Sequence, residues 1–412
     1  MRQVKPIRIA FINTHPIQYF APFYAELARA EDLAVTALYL SNYSIRGAPD
    51  AEFGRIVKWD IDLLAGYEAR FVAGAGRRGE PSGFWSMLAP PLWREVRRGG
   101  FDAVVLHGHT PAANLLGLAA AKAAGIPVFM RSETHLGLHR STLKRGLRRP
   151  LMNSLYRCLD GVLAIGSANA MFYRAMGVPE DRIFLMPYAV DNARFAAASQ
   201  LTQDARHRLR ANFGVSDERP IVLFAAKFQA RKRPDDLLRA AAILARDGIP
   251  FHLVVIGSGE MEAQLRALAA AQLGSGRVHF AGFINQSAMP QAYAACDVFV
   301  LPSEEEPWGL AVNEAMCTGL PVVASAGIGC VADLVHEGRN GRIFAAADIR
   351  GLAEALRPLL IDPGLRQRMG AASRDIIARW SYAECQAGLR AALASVGLGR
   401  VAFERPRIAA LP

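Results

Sequence analysis

The chain has 412 residues, of which 52% are hydrophobic and 21% are charged. This composition supplies a large buried core and excludes a disordered chain, and the length predicts two or three domains of ~100–200 residues each. The five cysteines are odd in number and lack CxxC spacing, which excludes a structural zinc site and a disulfide framework. No stretch approaches the ~20 apolar residues of a membrane-spanning helix, and the start lacks the features of a secretory signal, so we expect a cytoplasmic protein.

The positive charge is concentrated in the first half of the chain. The first 200 residues contain 24 basic and 16 acidic residues, the rest contain 24 and 21, and the net charge is +11. A basic half can attract nucleic acid, anionic lipid or phosphorylated small molecules. Because no nucleic-acid-binding motif is present, two interpretations of the charge remain. Either its partner is an anionic membrane surface or a phosphorylated small molecule, or the arginine-rich usage reflects genomic composition and has no specific partner.

Short β-branched runs alternate with stretches long enough for a helix, which is the pattern of a parallel sheet. In the first half, the predicted strands are Ile7 to Asn13, Ala34 to Leu40, Ala103 to His107, Val128 to Arg131, Gly161 to Ile165 and Ile183 to Met186. In the second half, they are Ile221 to Ala225, Phe251 to Ile256, Val278 to Ala281, Val298 to Leu301 and Val322 to Ala324.

The alternation predicts an α/β fold with two doubly wound, Rossmann-like domains that face each other across a cleft. We place the first domain at 1–195, a polar linker at 196–219 and the second domain at 220–381, and we expect the helix in 382–412 to pack back on the first domain. Ligands of such sheets bind beyond the carboxyl ends of the strands, so the cleft is the predicted site.

The most specific stretch is SEEEPWGLAVNEAMCTGLPVVAS, residues 303–325, where a predicted strand leads into an acidic loop, a helix and another strand. Helix-start amides near Gly309 and Leu310 suit an anion such as a diphosphate. Glu306 and Glu314 would flank that anion and accept hydrogen bonds from sugar hydroxyls. The alternative interpretation is a solvated acidic run followed by an ordinary helix glutamate.

A second stretch, FAAKFQARKRPDDLL, places Lys227, Arg231, Lys232 and Arg233 directly after the strand that ends at Ala225. Cations at the carboxyl end of a strand suit phosphate, which lysine binds as a point charge and arginine binds with two hydrogen bonds. The alternative is a solvated cationic turn.

Together these stretches resemble family 4 of the retaining nucleotide-sugar glycosyltransferases, the glycosyl transferases group 1, which have the GT-B fold. The resemblance rests on the E-x7-E element EPWGLAVNE with the following AMCTGLPVVAS, and on KFQARK before it. It extends through VVIGSGE, VHFAGF, CDVFVLPS and NGRIF, over roughly residues 220–382. The expected donor is therefore a nucleoside diphosphate sugar.

The resemblance implies a role for each matched residue. Lys227, where the family usually has arginine, and Lys232 would neutralise the diphosphate, while Gly309 and Leu310 present backbone amides to it. Three further residues would contact the sugar, the ribose and the base of the donor, respectively: Glu306, Glu314 and Phe283.

The first half departs from the family pattern. The loop after the first strand is NTHPIQY instead of a glycine pair, so we expect it, with His15, to shape the acceptor side. Relatives place a histidine near the reacting carbon after the fourth strand, where this chain offers Glu133 and His135. His107 and His109 are lower-ranked candidates at the neighbouring strand end.

Two other signals are weaker. Gly257-Ser258-Gly259 follows a strand, but Glu262 replaces the third glycine of a dinucleotide fingerprint, which disfavours NAD. The stretch Arg140 to Arg157 has six basic and no acidic residues, with leucines at helical spacing. It is suited either to an anionic membrane surface or to the packed core, and Pro150 is expected to interrupt its helix.

Together with the resemblance, which implies retention, these observations favour a hexosyltransferase of bacterial polysaccharide or glycolipid biosynthesis that works without a metal or a cofactor. Its hydroxyl acceptor is expected to be either lipid-linked or a polysaccharide. The two cations and the helix-start amides would offset the charge on the leaving diphosphate. Retention is compatible with a double displacement through an enzyme nucleophile and with attack on the face that the diphosphate leaves, and the resemblance favours the second route. Two alternatives remain open. A sugar-nucleotide epimerase of the same fold would need no acceptor, and a catalytically silent subunit would bind the nucleotide sugar without turnover.

Overall fold

The computed structural model describes residues 5–50, 53–108, 112–138 and 142–399, with the backbone alone at 48, 49 and 142–149. The strands are β1 (Ile7–Asn13), β2 (Leu33–Tyr39), β3 (Ala48–Asp50), β4 (Arg55–Val57), β5 (Glu68–Phe71), β6 (Ala103–His107), β7 (Val128–Arg131), β8 (Gly161–Ala164), β9 (Ile183–Leu185), β10 (Ile221–Ala225), β11 (His252–Ile256), β12 (Val278–Gly282), β13 (Val298–Leu301), β14 (Val322–Ser325) and β15 (Gly341–Phe344).

Helices connect most of these strands. They are α1 (Ala21–Ala28), α2 (Tyr43–Arg46), α3 (Pro91–Arg98), α4 (Ala112–Ala123), α5 (Thr142–Arg157), α6 (Ser167–Ala175), α7 (Asn192–Ala198), α8 (Gln203–Asn212), α9 (Pro234–Arg246), α10 (Glu262–Leu273), α11 (Met289–Ala294), α12 (Leu310–Cys317), α13 (Val331–Leu334), α14 (Ile349–Ile361), α15 (Pro363–Ile377) and α16 (Tyr382–Ser395).

The chain divides into two compact units. The first contains the described residues of 1–48, 57–188 and 382–412, and the second contains those of 49–56 and 189–381. Helix α16 belongs to the first unit, where it contacts β8, β9 and α1. Residues 189–219 belong to the second unit, where α7 and α8 contact α11.

The first unit is built on a parallel sheet with the order β5-β2-β1-β6-β7-β8-β9 among the described residues. Its central strands are continuous apolar runs because helices cover both faces of a doubly wound sheet. Asn13 ends β1 and His107 ends β6, and these two strands are neighbours. The strand order reverses between them, which places the ligand-binding crevice of this sheet at their carboxyl ends.

The second unit repeats this design. Its described strands form a parallel sheet in the order β12-β11-β10-β13-β14-β15. The order reverses between β10 and β13, which are followed by the basic stretch and the acidic loop, respectively. The two most specific sequence stretches therefore lie side by side at the position where an open α/β sheet binds its ligand.

The predicted α/β fold with two doubly wound domains is confirmed, and the predicted strands match β1, β6, β7, β10 and β13 in both bounds. The prediction missed β3, β4 and β15, which are only three or four residues long, and β5, an edge strand with exposed residues. The prediction that Pro150 interrupts the helix was wrong, because α5 continues through this residue.

Two further features of the described residues are the apolar character of the helices and the state of the cysteines. Within the described residues, no helix combines the length and apolar character needed to cross a membrane. The five cysteines are free thiols; Cys158 is exposed, and the others are buried.

Candidate functional site

The centre of the site in the second unit is a buried carboxylate, Glu306, which follows β13. Its side chain accepts hydrogen bonds from Lys232 Nζ and, at 2.8 Å, from Ser303 Oγ, and Arg231 Nη1 lies 3.5 Å from Oε2. Only 5% of Glu306 is exposed. A carboxylate that is buried among three donors is held in one position.

Near the start of α12, two glycines are packed so closely against their neighbours that a Cβ atom would not fit. Gly309 has a φ of 101°, and a Cβ atom there would lie 2.8 Å from Ile328 Cγ2. Opposite it, a Cβ on Gly327 would lie 2.0 Å from the carbonyl oxygen of Glu304. This close packing positions the first turn of α12, whose N–H groups have no acceptor within the helix.

Glu314 lies on α12 and is 3% exposed. Tyr293 from α11 donates a hydrogen bond of 2.8 Å to its Oε2. On the same helix, Asn313 accepts a hydrogen bond of 2.9 Å from Trp308 Nε1. These contacts fix the orientation of α12 and of Glu314, the second glutamate of the E-x7-E element.

The four cations after β10 do not share one role. Lys232 and Arg231 face Glu306. Arg233 instead pairs with Asp236 at 2.5 Å and Glu304 at 3.2 Å, so it stabilises the local chain.

Lys227, the second residue after β10, has contacts that differ from those of Lys232 and Arg231. Its Nζ is 3.4 Å from Asp50 Oδ2 and 4.4 Å from the ring centroid of Phe53. Phe53 also meets Phe283 edge to face, with the ring centroids 5.1 Å apart. Lys227 and Phe283, the predicted phosphate and base contacts, are thus brought together by a segment that sequence reasoning did not single out.

A second polar cluster lies at the carboxyl edge of the sheet in the first unit. His107 Nε2 is 2.8 Å from the hydroxyl of Tyr24, which also hydrogen-bonds to Asn13. Phe20 lies over the imidazole, with the centroids 4.4 Å apart. Burial, and to a smaller extent the charge of Arg131, hold the pKa of His107 well below its usual value.

Arg131, at the end of β7, is a buried cation in this cluster. It is 5% exposed, it donates one hydrogen bond to the carbonyl of Pro187, and its guanidinium lies over the rings of Phe20 and Tyr188. Its Nε atom has no hydrogen-bond partner among the described residues. Tyr188 donates a hydrogen bond of 2.6 Å to Glu133 Oε1, which links this exposed carboxylate to the buried cluster.

The predicted histidines occupy different environments. His15 is hydrogen-bonded to Thr14 and Tyr43, and burial lowers its pKa to about 4. His135 accepts a hydrogen bond at Nδ1 from the backbone N–H of Gly137. His109 lies outside the described residues.

Sequence reasoning missed Tyr24, Tyr188 and Tyr293, which position His107, Glu133 and Glu314. Aromatic residues in otherwise apolar stretches give no signal of this role, because their hydroxyl partners are distant in the sequence. Asn13 and Arg131 did carry a signal, since each is a polar residue that ends a buried parallel strand.

Comparisons with known proteins agree with this architecture. Residues 205–376 match the glycosyl transferases group 1, and residues 17–189 match the glycosyl transferase 4-like domain. Among curated proteins, the chain is 30% identical to a D-inositol 3-phosphate glycosyltransferase of Streptomyces avermitilis, over 76% of this chain and 68% of that protein. The chain belongs to family 4 of the glycosyltransferases, the group 1 enzymes with the GT-B fold.

Other relatives match over a smaller share of their length. The chain is 30% identical to the sulfoquinovosyl transferase SQD2 of Arabidopsis thaliana over 72% of this chain, and the match spans 57% of that protein. A D-inositol 3-phosphate glycosyltransferase of Xylanimonas cellulosilytica is 33% identical over 52% of each chain. The chain thus spans little more than half the length of these two relatives.

Solved structures share the fold at low sequence identity. HepE of Anabaena, determined in complex with UDP and glucose, has a TM-score of 0.71 and 19% identity over 94% of this chain and 100% of that one. Sucrose-phosphate synthase of Thermosynechococcus elongatus has a TM-score of 0.70 and 20% identity, over 92% and 96%.

Proposed function

We propose that this protein transfers a hexose from a nucleoside diphosphate sugar to a hydroxyl acceptor with retention of the anomeric configuration. The observation that carries the proposal is the arrangement at the switch point of the second sheet. Lys232 after β10, Glu306 after β13 and the first turn of α12 form one site with a cation, a carboxylate and helix-start amides. The cation and the amides suit the diphosphate of such a donor, and the carboxylate suits its sugar hydroxyls.

The donor half of the reaction follows from these residues. As the bond between the anomeric carbon and the phosphate oxygen breaks, negative charge develops on the diphosphate. Lys227, Lys232 and the amides at Gly309 and Leu310 are proposed to stabilise that charge, because preorganised donors and cations act strongly in a partly buried site. Glu314, held by Tyr293, is proposed to accept hydrogen bonds from the ribose, and Phe283 to contact the base.

The acceptor half is proposed to proceed by attack on the same face that the diphosphate leaves. The acceptor oxygen forms the new bond to the anomeric carbon, and a phosphate oxygen takes the acceptor proton. Glu306 is proposed to contact hydroxyls of the transferred sugar. Of the two residues proposed near the reacting carbon, Glu133 has the stronger support, because Tyr188 connects it to the buried cluster.

We expect no metal requirement. Among the described residues, no group of three or more His, Cys, Asp or Glu side chains is arranged to hold a metal ion. The two lysines supply the positive charge that a divalent cation supplies in other transferases. Turnover that survives EDTA would support this expectation, and turnover restored only by added Mg²⁺ or Mn²⁺ would refute it.

The experiment that tests the function is a binding and turnover panel with UDP-, GDP-, ADP- and dTDP-sugars. A ligand at 100 times its Kd raises the free energy of unfolding by about 2.7 kcal/mol, which thermal shift detects easily. Stabilisation of the wild type that is lost in Lys232→Ala would support the donor site. Isomerised donor would indicate an epimerase, and binding without turnover a silent subunit. Proton NMR of the glycoside then reports whether the configuration is retained.

A lipid-linked acceptor at an anionic membrane is the proposed acceptor class. Aromatic side chains lie exposed in the first unit, with Trp85 70% and Trp93 36% exposed. Trp93 lies on α3 with Arg94, Arg97 and Arg98. Exposed aromatic residues beside cations suit the headgroup region of an anionic bilayer. The side chains of Lys144, Arg145, Arg148 and Arg149, predicted to serve the same purpose, lie outside the described residues.

A further inference from the structure

Three residues from the end of β3 to the start of β4, Asp50, Phe53 and Arg55, lie against the proposed donor site. The described residues of 49–56 belong to the second unit, whereas those that precede and follow them in the chain belong to the first. We call Asp50, Phe53 and Arg55 together the strap. Each of these three residues contacts a residue to which the proposed function assigns donor binding.

The strap places a carboxylate on the proposed phosphate-binding cation. Asp50 Oδ2 is 3.4 Å from Lys227 Nζ, and the two side chains are 17% and 22% exposed. The same ammonium group lies 4.4 Å from the ring centroid of Phe53, a cation–π distance. A donor phosphate that binds Lys227 therefore competes with Asp50 for the same positive charge.

The strap also covers the proposed base contact. The rings of Phe53 and Phe283 meet edge to face at an interplanar angle of 83°, and the Arg55 guanidinium carbon lies 5.0 Å from the Phe283 centroid. A base that stacks on Phe283 needs part of this aromatic surface. Phe53 and Arg55 must therefore move, at least in part, when a base binds there.

Backbone contacts hold the strap in this position. Ser258 Oγ donates a hydrogen bond of 3.0 Å to the carbonyl oxygen of Phe53. Next to Ser258, the backbone of Gly257 lies so close to the residue that follows β10 that a Cβ would be 2.0 Å from the Ala226 carbonyl oxygen. Within the strap, Asp50 Oδ1 accepts the Phe53 backbone N–H at 3.0 Å. Asp50 thus both shapes the turn and faces Lys227.

We propose that the strap is an autoinhibitory element: Asp50 and Phe53 occupy the phosphate and base contacts of the donor site, and a nucleoside diphosphate sugar binds only by displacing them. This inference rests on the proposed function of the second unit. Because only molecules with the strap displaced can bind, the apparent affinity for the donor is reduced by their fraction. Weakening the strap should therefore tighten nucleotide binding.

The test measures the Kd of UDP, GDP, ADP and dTDP by calorimetry for the wild type and three variants. Asp50→Asn removes the charge but keeps the oxygen that accepts the Phe53 N–H, and Phe53→Ala removes the aromatic cover without a change of charge. Glu31→Gln, an exposed carboxylate between α1 and β2, is the matched control for net charge. We expect Asp50→Asn to tighten binding about three- to fivefold, as for loss of one partly exposed ion pair. Phe53→Ala should act in the same direction, and Glu31→Gln should leave the Kd unchanged.

Hydrogen exchange provides a second measurement. Saturating nucleotide should increase amide exchange in the peptide that contains residues 53–57, because the strap leaves its contacts. An unchanged or weaker Kd in both strap variants would overturn the proposal, and so would tightening in Asp50→Asn alone, which reports only charge. Slower exchange on binding would instead show that the strap closes over the nucleotide. If Lys232→Ala loses binding while the strap variants behave like the wild type, the donor site stands and the strap fails. If no nucleotide binds the wild type or any variant, the proposed function fails, and the strap with it.

Discussion

Lys232 donates a hydrogen bond to Glu306, so the proposed phosphate-binding cation and the proposed sugar-binding carboxylate form one ion pair. The side chains are 13% and 7% exposed. A donor that binds between them inserts its own negative charge next to Lys232 and its hydroxyls next to Glu306. The pair is therefore preorganised for a substrate that carries both groups.

Lys232→Ala should reduce kcat about 10²- to 10³-fold, as for loss of one preorganised donor at the developing charge. The matched control is Lys122→Ala, which removes a partly exposed pair with Asp160 and should leave kcat within about twofold. Initial rates of nucleotide release measure both. A Lys232→Ala enzyme with wild-type kcat would remove this residue from the reaction.

Gly309→Ala should destabilise the protein by about 1–3 kcal/mol, because the residue has a φ of 101° and its Cβ would lie 2.8 Å from Ile328. The same change should weaken donor binding, since it shifts the first turn of α12. Gly79→Ala is the control, because its Cβ would meet nothing within 4 Å. Urea unfolding and nucleotide titration distinguish the two variants, and equal stability of both would contradict the strain argument.

Glu133→Ala should lower kcat more than His135→Ala, because Tyr188 holds Glu133 in place whereas His135 accepts a bond from the nearby Gly137. Tyr188→Phe should lower kcat in part and leave KM for the donor unchanged, since it removes only the hydroxyl that orients the carboxylate. Steady-state kinetics of the three variants checks the order. A larger loss in His135→Ala would assign the role to the histidine.

Acid should destabilise the fold below about pH 6.5. Burial lowers the pKa of His15 to about 4 and also lowers the pKa of His252 and His279. The unfolded chain takes up protons that the folded chain does not, so the free energy of unfolding falls as the pH drops from about 6.5 toward 4. His15→Gln should reduce this slope by up to about 1.4 kcal/mol per pH unit. Urea titrations of the wild type and of His15→Gln at several pH values measure this slope, and equal slopes would contradict the assignment to His15.

Trp85→Ser combined with Trp93→Ser should reduce sedimentation with vesicles that contain anionic lipid, because both rings are exposed and Trp93 lies on α3 with three arginines. Ile361→Ser, which removes an exposed apolar side chain from the end of α14, is the control. Equal vesicle binding by all forms would refute a membrane role for this surface.

The sequence determined the two sheets and the position of the proposed donor site. Alternation of apolar runs with helical stretches is a local pattern, and it sufficed to place β1, β6, β10 and β13. The carboxyl ends of neighbouring parallel strands meet at one edge. Pairing of β10 with β13 therefore places the stretches that follow them side by side.

Only the tertiary structure decided which side chains work together. Arg233 pairs with Asp236 and Glu304, although the neighbouring cations face Glu306. Tyr293 and Tyr188 hydrogen-bond to Glu314 and Glu133, which are distant from them in the sequence. Asp50 reaches Lys227 from 177 positions earlier in the chain. Such contacts depend on the packing of elements that are distant in sequence, and periodicity and propensity, which describe neighbours along the chain, contain no information about them.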